Sequence, residues 1–409
     1  MYYKYYKNYW KKNNINDDIN IFLNLLDNNI DYIKYKEKYN WKSLDSKYPL
    51  QYIYYNKSNL SYEEFEFKYY TNKFKKSIPH NYIENFYKDH IKIQKILDIY
   101  CNLNKLYFIS LDILSYINNE INTCKVYYYN VGKESQSLIT LYCFYKDDLL
   151  NINDLVNNII IITKWLYNIK LQKNPTYINN ITIYYFNIPI KKKIYNINIK
   201  YKFLSSKNVN SGLSYMNNNI YIYREEEAYK VLIHELIHAL DFFSFENNII
   251  SYNIGNISYP IIIDEAITEL IAQFLHCLFY IYNKNLLDKF KYLYYLENIF
   301  NWYNTVKIFK FYGIKQFDID EIKEKFNQSS NIYSYYILKS LFCLDFYKFI
   351  HILIDYNYNN IVENIKNILN NIPYNFINYI INKTKYKNNS SLRMTCSTKF
   401  FTNKSSFII

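Results

Sequence analysis

The sequence predicts an α+β fold: a small mixed sheet, two helices that carry the polar residues of a site, and a helical C-terminal subdomain, with a mostly helical N-terminal domain in front. Three observations lead there. Residues 15 to about 120 place apolar side chains three and four positions apart, as in INIFLNLLDNNIDYIKYKEKY and IENFYKDHIKIQKILDIYCNL, the period of amphipathic helices. From CKVYYYNVG through SLITLYCFY the pattern shifts to alternation of β-branched and aromatic residues, which predicts two strands around Gly132. Beyond a long helix at roughly 149–171, ITIYYFNIPI and NIYIYRE read as further strands, and the second runs directly into YREEEAYKVLIHELIHALDFF.

The remaining elements come in order. The 219–224 segment is expected to be the edge strand of the sheet, followed by a helix at about 226–243 and a second at about 262–281 containing DEAITELIAQFL. The chain then stays helical to about 381 and ends in a polar, loosely ordered tail. The expected division is 1–120, 121–282, 283–381 and 382–409.

Composition narrows the function classes. A chain of 409 residues with 50% hydrophobic content can bury a sizeable core. It has 53 Tyr but only 4 Gly and 6 Pro, the bias of a strongly AT-rich genome such as that of a large DNA virus or an AT-rich protist. The net charge of +13 belongs to the same bias, because Arg occurs only at Arg224 and Arg393. A protein built to grip phosphate uses more of the bidentate guanidinium, which argues against nucleic acid as a partner. The six cysteines show no CxxC pair, no apolar run approaches the roughly 20 residues of a membrane span, and the first residues lack the apolar core of a signal peptide. A cytoplasmic protein with no membrane association is expected, in the host cytoplasm or the virion if the source is viral. Oligomeric state is left open.

Depleted residues are the informative ones. All four alanines, Ala228, Ala239, Ala266 and Ala272, fall in one 45-residue window, where helices can approach closely. That window holds HELIH, an instance of H-E-x-x-H. On a helix His234 and His238 stand about 40° apart around the axis and roughly 6 Å apart along it, so both imidazoles can reach one ion. Glu235 sits beside them, where a reacting water would lie. Zinc suits such a set, because neutral imidazole binds it well and Zn²⁺ brings the pKa of bound water to about 7. The flanking KVLI and LIHALDFF are apolar, so the trio belongs to a buried helix, where polar groups without a purpose are costly.

A catalytic zinc needs a third protein ligand. The continuation H-E-x-x-H-x-x-G-x-x-H would need Gly at 241 and His or Asp at 244, and the chain has Asp241 and Ser244. His276, in the apolar IAQFLHCLFY, reads as a core histidine. The better candidate is DEAITE. Glu265 follows His238 after 26 residues, enough for a loop and a returning helix, and Glu269 one turn on could accept the outer ring proton of a histidine. The alternative is that both carboxylates lie on a solvated helix face.

H-E-x-x-H followed by E-x-x-x-E resembles the gluzincin group of zinc metallopeptidases, to which thermolysin-like enzymes belong. HELIH is similar to the motif of clostridial neurotoxin proteases, and HELIHALD with EAITE resembles the catalytic domain of anthrax lethal factor. The likeness covers about 60 residues, roughly 208–275. It implies a zincin-like catalytic domain at 121–282, His234, His238 and Glu265 as zinc ligands, Glu235 as general base, and Glu269 behind the ligands. Aminopeptidases of the group carry G-x-M-E-N, whose glutamate holds the substrate's free amine; in SGLSYMNNNIYIYRE that place falls to Asn217. The resemblance thus implies an endopeptidase acting on a protein or peptide substrate, paired along the NNIYIYR strand. Family members stabilise the oxyanion with Tyr, His or Arg. The candidates here are Tyr335 and Tyr336, at the start of a helix capped by Ser329 or Ser330, and Tyr259, six residues before Glu265. Two alternatives stay open: a structural or virion protein with an inactive zinc site, and a lysine-rich nucleic-acid-binding protein.

Overall fold

The computed structural model describes residues 63–68, 109–131, 137–146, 152–194, 202–215, 218–242, 251–252, 261–283, 290–343, 374–383 and 391–395, with 367 and 372. They form a mixed α+β chain in two compact units, one spanning Asn56–Lys192 with Ser206–Leu240 and the other including Lys193–Ser205 and Asp241–Ile409. The division at Leu240 falls inside the stretch 121–282 that the sequence assigns to one domain.

The first unit is built on a six-stranded sheet in the order β1-β2-β3-β4-β6-β5. Its strands are β1 (Glu63–Lys68), β2 (Thr123–Val131), β3 (Ser137–Tyr145), β4 (Ile181–Phe186), β5 (Gly212–Tyr215) and β6 (Asn219–Ile222). β2 and β3 pair antiparallel over nine residues each. β3 and β4 run parallel, a geometry that requires a crossover, and helix α2 (Ile152–Lys173) supplies it. β6 adds parallel to β4, and β5 closes the far edge antiparallel to β6.

Alternation gives the sheet two apolar faces. On one, Tyr142, Tyr184 and Tyr221 stand in register on neighbouring strands and stack at centroid distances of 5.2 and 4.7 Å, and Phe144 stacks on Phe186 at 4.5 Å. Helix α1 (Leu111–Glu120) packs Ile113 and Ile117, one turn apart, into the same cluster. On the other side lies α2 with its buried Trp165, packed against α4 (Ala228–Ala239), which also packs on β5 and β6. A short helix α3 (Ser206–Val209) precedes β5.

Two expectations change here. Within the stretch 1–120, expected to be a mostly helical domain, the described residues include a strand of the sheet, β1, and a helix that is part of its core, α1. The stretches INIFLNLLDNNIDYIKYKEKY and IENFYKDHIKIQKILDIYCNL lie outside the described residues. The strand within 219–224 is no edge, because β4 and β5 flank it on both sides. The four-residue GLSY is too short to show a period, so the true edge strand is invisible to pattern reading.

Among its described residues the second unit is helical, apart from the two-residue strands β7 (Ser251–Tyr252) and β8 (Ile261–Ile262). Its helices are α5 (Ile263–Asn283), α6 (Phe290–Tyr312), α7 (Ile319–Lys325), a π-helical turn (Tyr333–Leu338), α8 (Lys339–Phe342) and α9 (Tyr374–Lys383). α5 packs against α6, the π turn and α8. The residue at the N-cap of the π turn is Ile332, and Gln328 Oε1 accepts the Tyr333 N–H at 2.8 Å. Among the described residues no helix is long and apolar enough to cross a membrane.

The tail also departs from expectation. Leu392, Met394 and Thr395 are buried, the Asn304 amide donates to the Arg393 carbonyl at 2.7 Å, and Lys307 Nζ donates to the Ser391 carbonyl at 2.5 Å. Two apolar side chains in LRMT and a row of backbone carbonyls satisfy buried donors of α6, which outweighs the polar composition around them. Leu392→Ala should therefore cost about 2–5 kcal/mol and lower the thermal midpoint in calorimetry, the usual cost of a core cavity. An unchanged midpoint would mean that the 391–395 segment does not hold the helical unit.

Candidate metal centre

The helix that carries HELIH is fastened before it begins. Arg224, fully buried, donates from Nε to the Asn210 carbonyl at 2.9 Å, from Nη1 to Ile190 at 2.8 Å and from Nη2 to Lys207 at 3.0 Å. One planar guanidinium thus ties together the segment after β4, the approach to β5 and the exit of β6. Glu227, in left-handed backbone at φ 67°, stops the helix from starting earlier, so α4 begins at Ala228 rather than at about 226. The Glu227 carboxylate pairs with Lys192 Nζ at 2.9 Å with both side chains buried, and the Lys192 N–H donates to Glu226 Oε1 at 2.5 Å. Burial pulls the Lys192 ammonium below its usual range, and Glu227 works against that shift. Farther along, the Asn158 amide of α2 donates to the Tyr229 hydroxyl at 3.0 Å.

On α4 thus held, His234 and His238 face each other, with Nε2 atoms 3.3 Å apart and ring centroids 4.9 Å apart. Two nitrogens held about 2.0–2.1 Å from a tetrahedral zinc stand roughly 3.3–3.4 Å apart. The spacing therefore fits an ion between them, and equally fits one N–H···N hydrogen bond between neutral rings. His234 and Glu235 are buried, with His238 partly so.

Glu235 lies over the edge strand. A Cβ on Gly212 would come within 3.3 Å of Glu235 Oε1, and within 2.6 Å of Val231 Cγ1 and 2.9 Å of the Tyr221 carbonyl. Only glycine lets β5 pass this close beneath α4. Tyr223 is raised well above the ordinary phenol range, first by burial, with the Arg224 charge opposing and the Glu235 carboxylate adding to the shift.

In the helical unit, Glu265 stands in the first turn of α5, half-buried, and Glu269 one turn on is buried. Both carboxylates are thus less exposed than a solvated helix face requires. Glu269 pairs with Lys339 Nζ at 3.3 Å. His234 and His238 offer ring nitrogens from the sheet unit, and Glu265 offers a carboxylate from the helical unit. His276 is buried and meets the Tyr280 ring edge-on at 4.7 Å, as a core histidine does.

The tyrosines divide. Tyr336 is buried and donates its hydroxyl to the Leu392 carbonyl at 2.5 Å, so it holds the tail in place and is withdrawn as an oxyanion donor. Tyr335 is half-buried on the π turn, with its N–H donating to the Asn331 carbonyl at 2.8 Å. Tyr259 and Asn217 lie outside the described residues.

Sequence reasoning missed three residues that hold these elements, two in the sheet unit and one in the helical unit. Gly212 and Arg224 carried a signal, since this chain has 4 glycines and two arginines and retains one of each here. Lys339 carried none among so many lysines. No protein-family model, curated protein or solved structure matches this chain.

Gly212→Ala should cost about 1–3 kcal/mol, because the added methyl must displace Val231 or the β6 backbone. Chemical denaturation would read the loss; wild-type stability would mean that β5 does not pass closely beneath α4.

Proposed function

We propose that this protein is a zinc-dependent endopeptidase of the gluzincin type. The observation that carries the reading is the arrangement on one buried helix: two imidazole nitrogens at the spacing of tetrahedral zinc ligands, with the Glu235 carboxylate beside them. His234, His238 and Glu265 would hold the ion, and their donor chemistry, two neutral nitrogens and one carboxylate oxygen, is that of a catalytic zinc site with one position left open. Bound there, Zn²⁺ supplies Lewis acidity toward a carbonyl and toward water.

The chain's own residues do the rest. Glu235 takes a proton from the attacking water and returns it to the departing amine. An extended peptide would pair with the outer edge of β5, which brings its backbone past Glu235 and Gly212. Asn217 in place of an amine-binding carboxylate favours internal bonds over N-terminal ones. Tyr335 and Tyr259 are the remaining candidates to stabilise the oxyanion.

The test is cleavage of an unbiased peptide library together with metal content. Wild type should hold one zinc ion per chain and cut, whereas Glu235→Gln should keep the ion and lose about 10²- to 10⁴-fold in rate. If both variants are silent with zinc bound, the site is structural and the enzyme reading is wrong. Glu265→Ala should lose most of the zinc and all hydrolysis, since two imidazoles leave the ion under-coordinated. Tight zinc in Glu265→Ala, with loss in Asp241→Ala or His276→Ala, would move the site to another zincin branch.

A further inference from the structure

We propose that Lys339 is a positioning residue for the metal centre: its buried ion pair with Glu269 fixes the face of α5 on which Glu265 stands. The inference rests on the zinc reading and adds to it a residue from a part of the chain that the motif does not reach.

The pair is enclosed. Lys339 Nζ lies 3.3 Å from Glu269 Oε1, with side-chain exposures of 1% and 3%. An isolated charge of either sign at such a place is strongly unfavourable, so each group constrains the other. Glu269 and Glu265 are four residues apart on one helix and share a face, so whatever fixes the rotation of Glu269 about the α5 axis fixes that of Glu265.

The chain deforms to deliver this lysine. Lys339 comes directly after the π turn, and its own N–H reaches the Ser334 carbonyl, five residues back, as well as the Tyr336 carbonyl. A π turn holds one more residue than an α turn and so rotates the next residues about the helix axis, which is why such turns are uncommon and recur at functional sites. Here the turn is clamped from α6 and α8: Thr305 Oγ1 and Ser340 Oγ both donate to the Tyr336 carbonyl, at 2.8 and 2.6 Å. The turn packs against α5, so the widened backbone and the ion pair address the same helix.

The experiment compares wild type, Lys339→Met, Glu269→Gln and the double variant, each stripped of metal and then titrated with Zn²⁺ against a chromogenic chelator. Each single variant should bind zinc about 10- to 100-fold more weakly, the usual cost of losing a partner that orients a ligand. The double variant should recover part of that loss, because a buried pair replaced by neutral groups leaves no stranded charge. Phe309→Leu, in the core of α6, controls for instability alone: it should lower the thermal midpoint and leave zinc affinity unchanged. With Co²⁺ in place of zinc, the saturated Lys339→Met protein should show an altered visible spectrum, a change in ligand geometry that loss of stability by itself does not produce. If folded Lys339→Met binds zinc as tightly as wild type, or if the two single losses simply multiply in the double variant, the positioning role is overturned while the zinc reading stands. If wild type binds no zinc, the zinc reading fails first and the inference falls with it.

Discussion

The Arg224 guanidinium is the fastening on which the arrangement of the sheet unit depends. Its three hydrogen bonds go to backbone carbonyls on two separate stretches, at Ile190 and at Lys207 and Asn210, and tie both to the exit of β6. The consequence is geometric. β6 leaves the sheet in one direction, Glu227 takes left-handed backbone under the hold of Lys192, and α4 starts at a single residue. A register shift of one residue along the helix would turn its side chains by about 100° relative to β5, and Glu235 would no longer lie over Gly212.

The helical unit solves a related problem with a different material. Its interior holds polar groups in connected sets: Gln273 donates to Glu297 at 3.1 Å, Asn301 donates to Gln273 at 2.9 Å, and Thr395 also donates to Glu297. Such networks add little net stability over an apolar core, yet a register error leaves several groups unsatisfied at once. α5, α6, α8 and the tail are therefore held in one relation by the cost of the alternatives. The Lys339–Glu269 pair is a buried ion pair in the same unit.

Legibility in the sequence tracked the kind of constraint involved. Where a regular period meets a depleted residue type, expectation and structure agree closely. β2, β3 and β4 fall within the segments read as strands, α2 matches the long helix expected at roughly 149–171, and α5 begins at Ile263, close to the start expected at about 262. That His234 and His238 face each other was legible because a helix brings residues four apart onto one face, a property of the backbone that needs no knowledge of its neighbours. Tyr336 misled because a hydroxyl's partner is set by packing: with 53 tyrosines, no local feature separates one that holds the Leu392 carbonyl from one that faces a substrate.

The order of residues is enough to settle the properties that repeat along the chain: the type of most elements, the two motif helices, and the side on which each histidine projects. Packing in three dimensions settles which strand lies at the edge, that LRMT is core and not tail, that Glu269 answers to a lysine seventy positions away, and that Gly212 lies under Glu235. The reason is the same in each case. Strand order, closure of a tail and pairing of buried charges are fixed by which partner satisfies a hydrogen bond or a charge across long stretches of chain, and such partners leave no period in the residues around them.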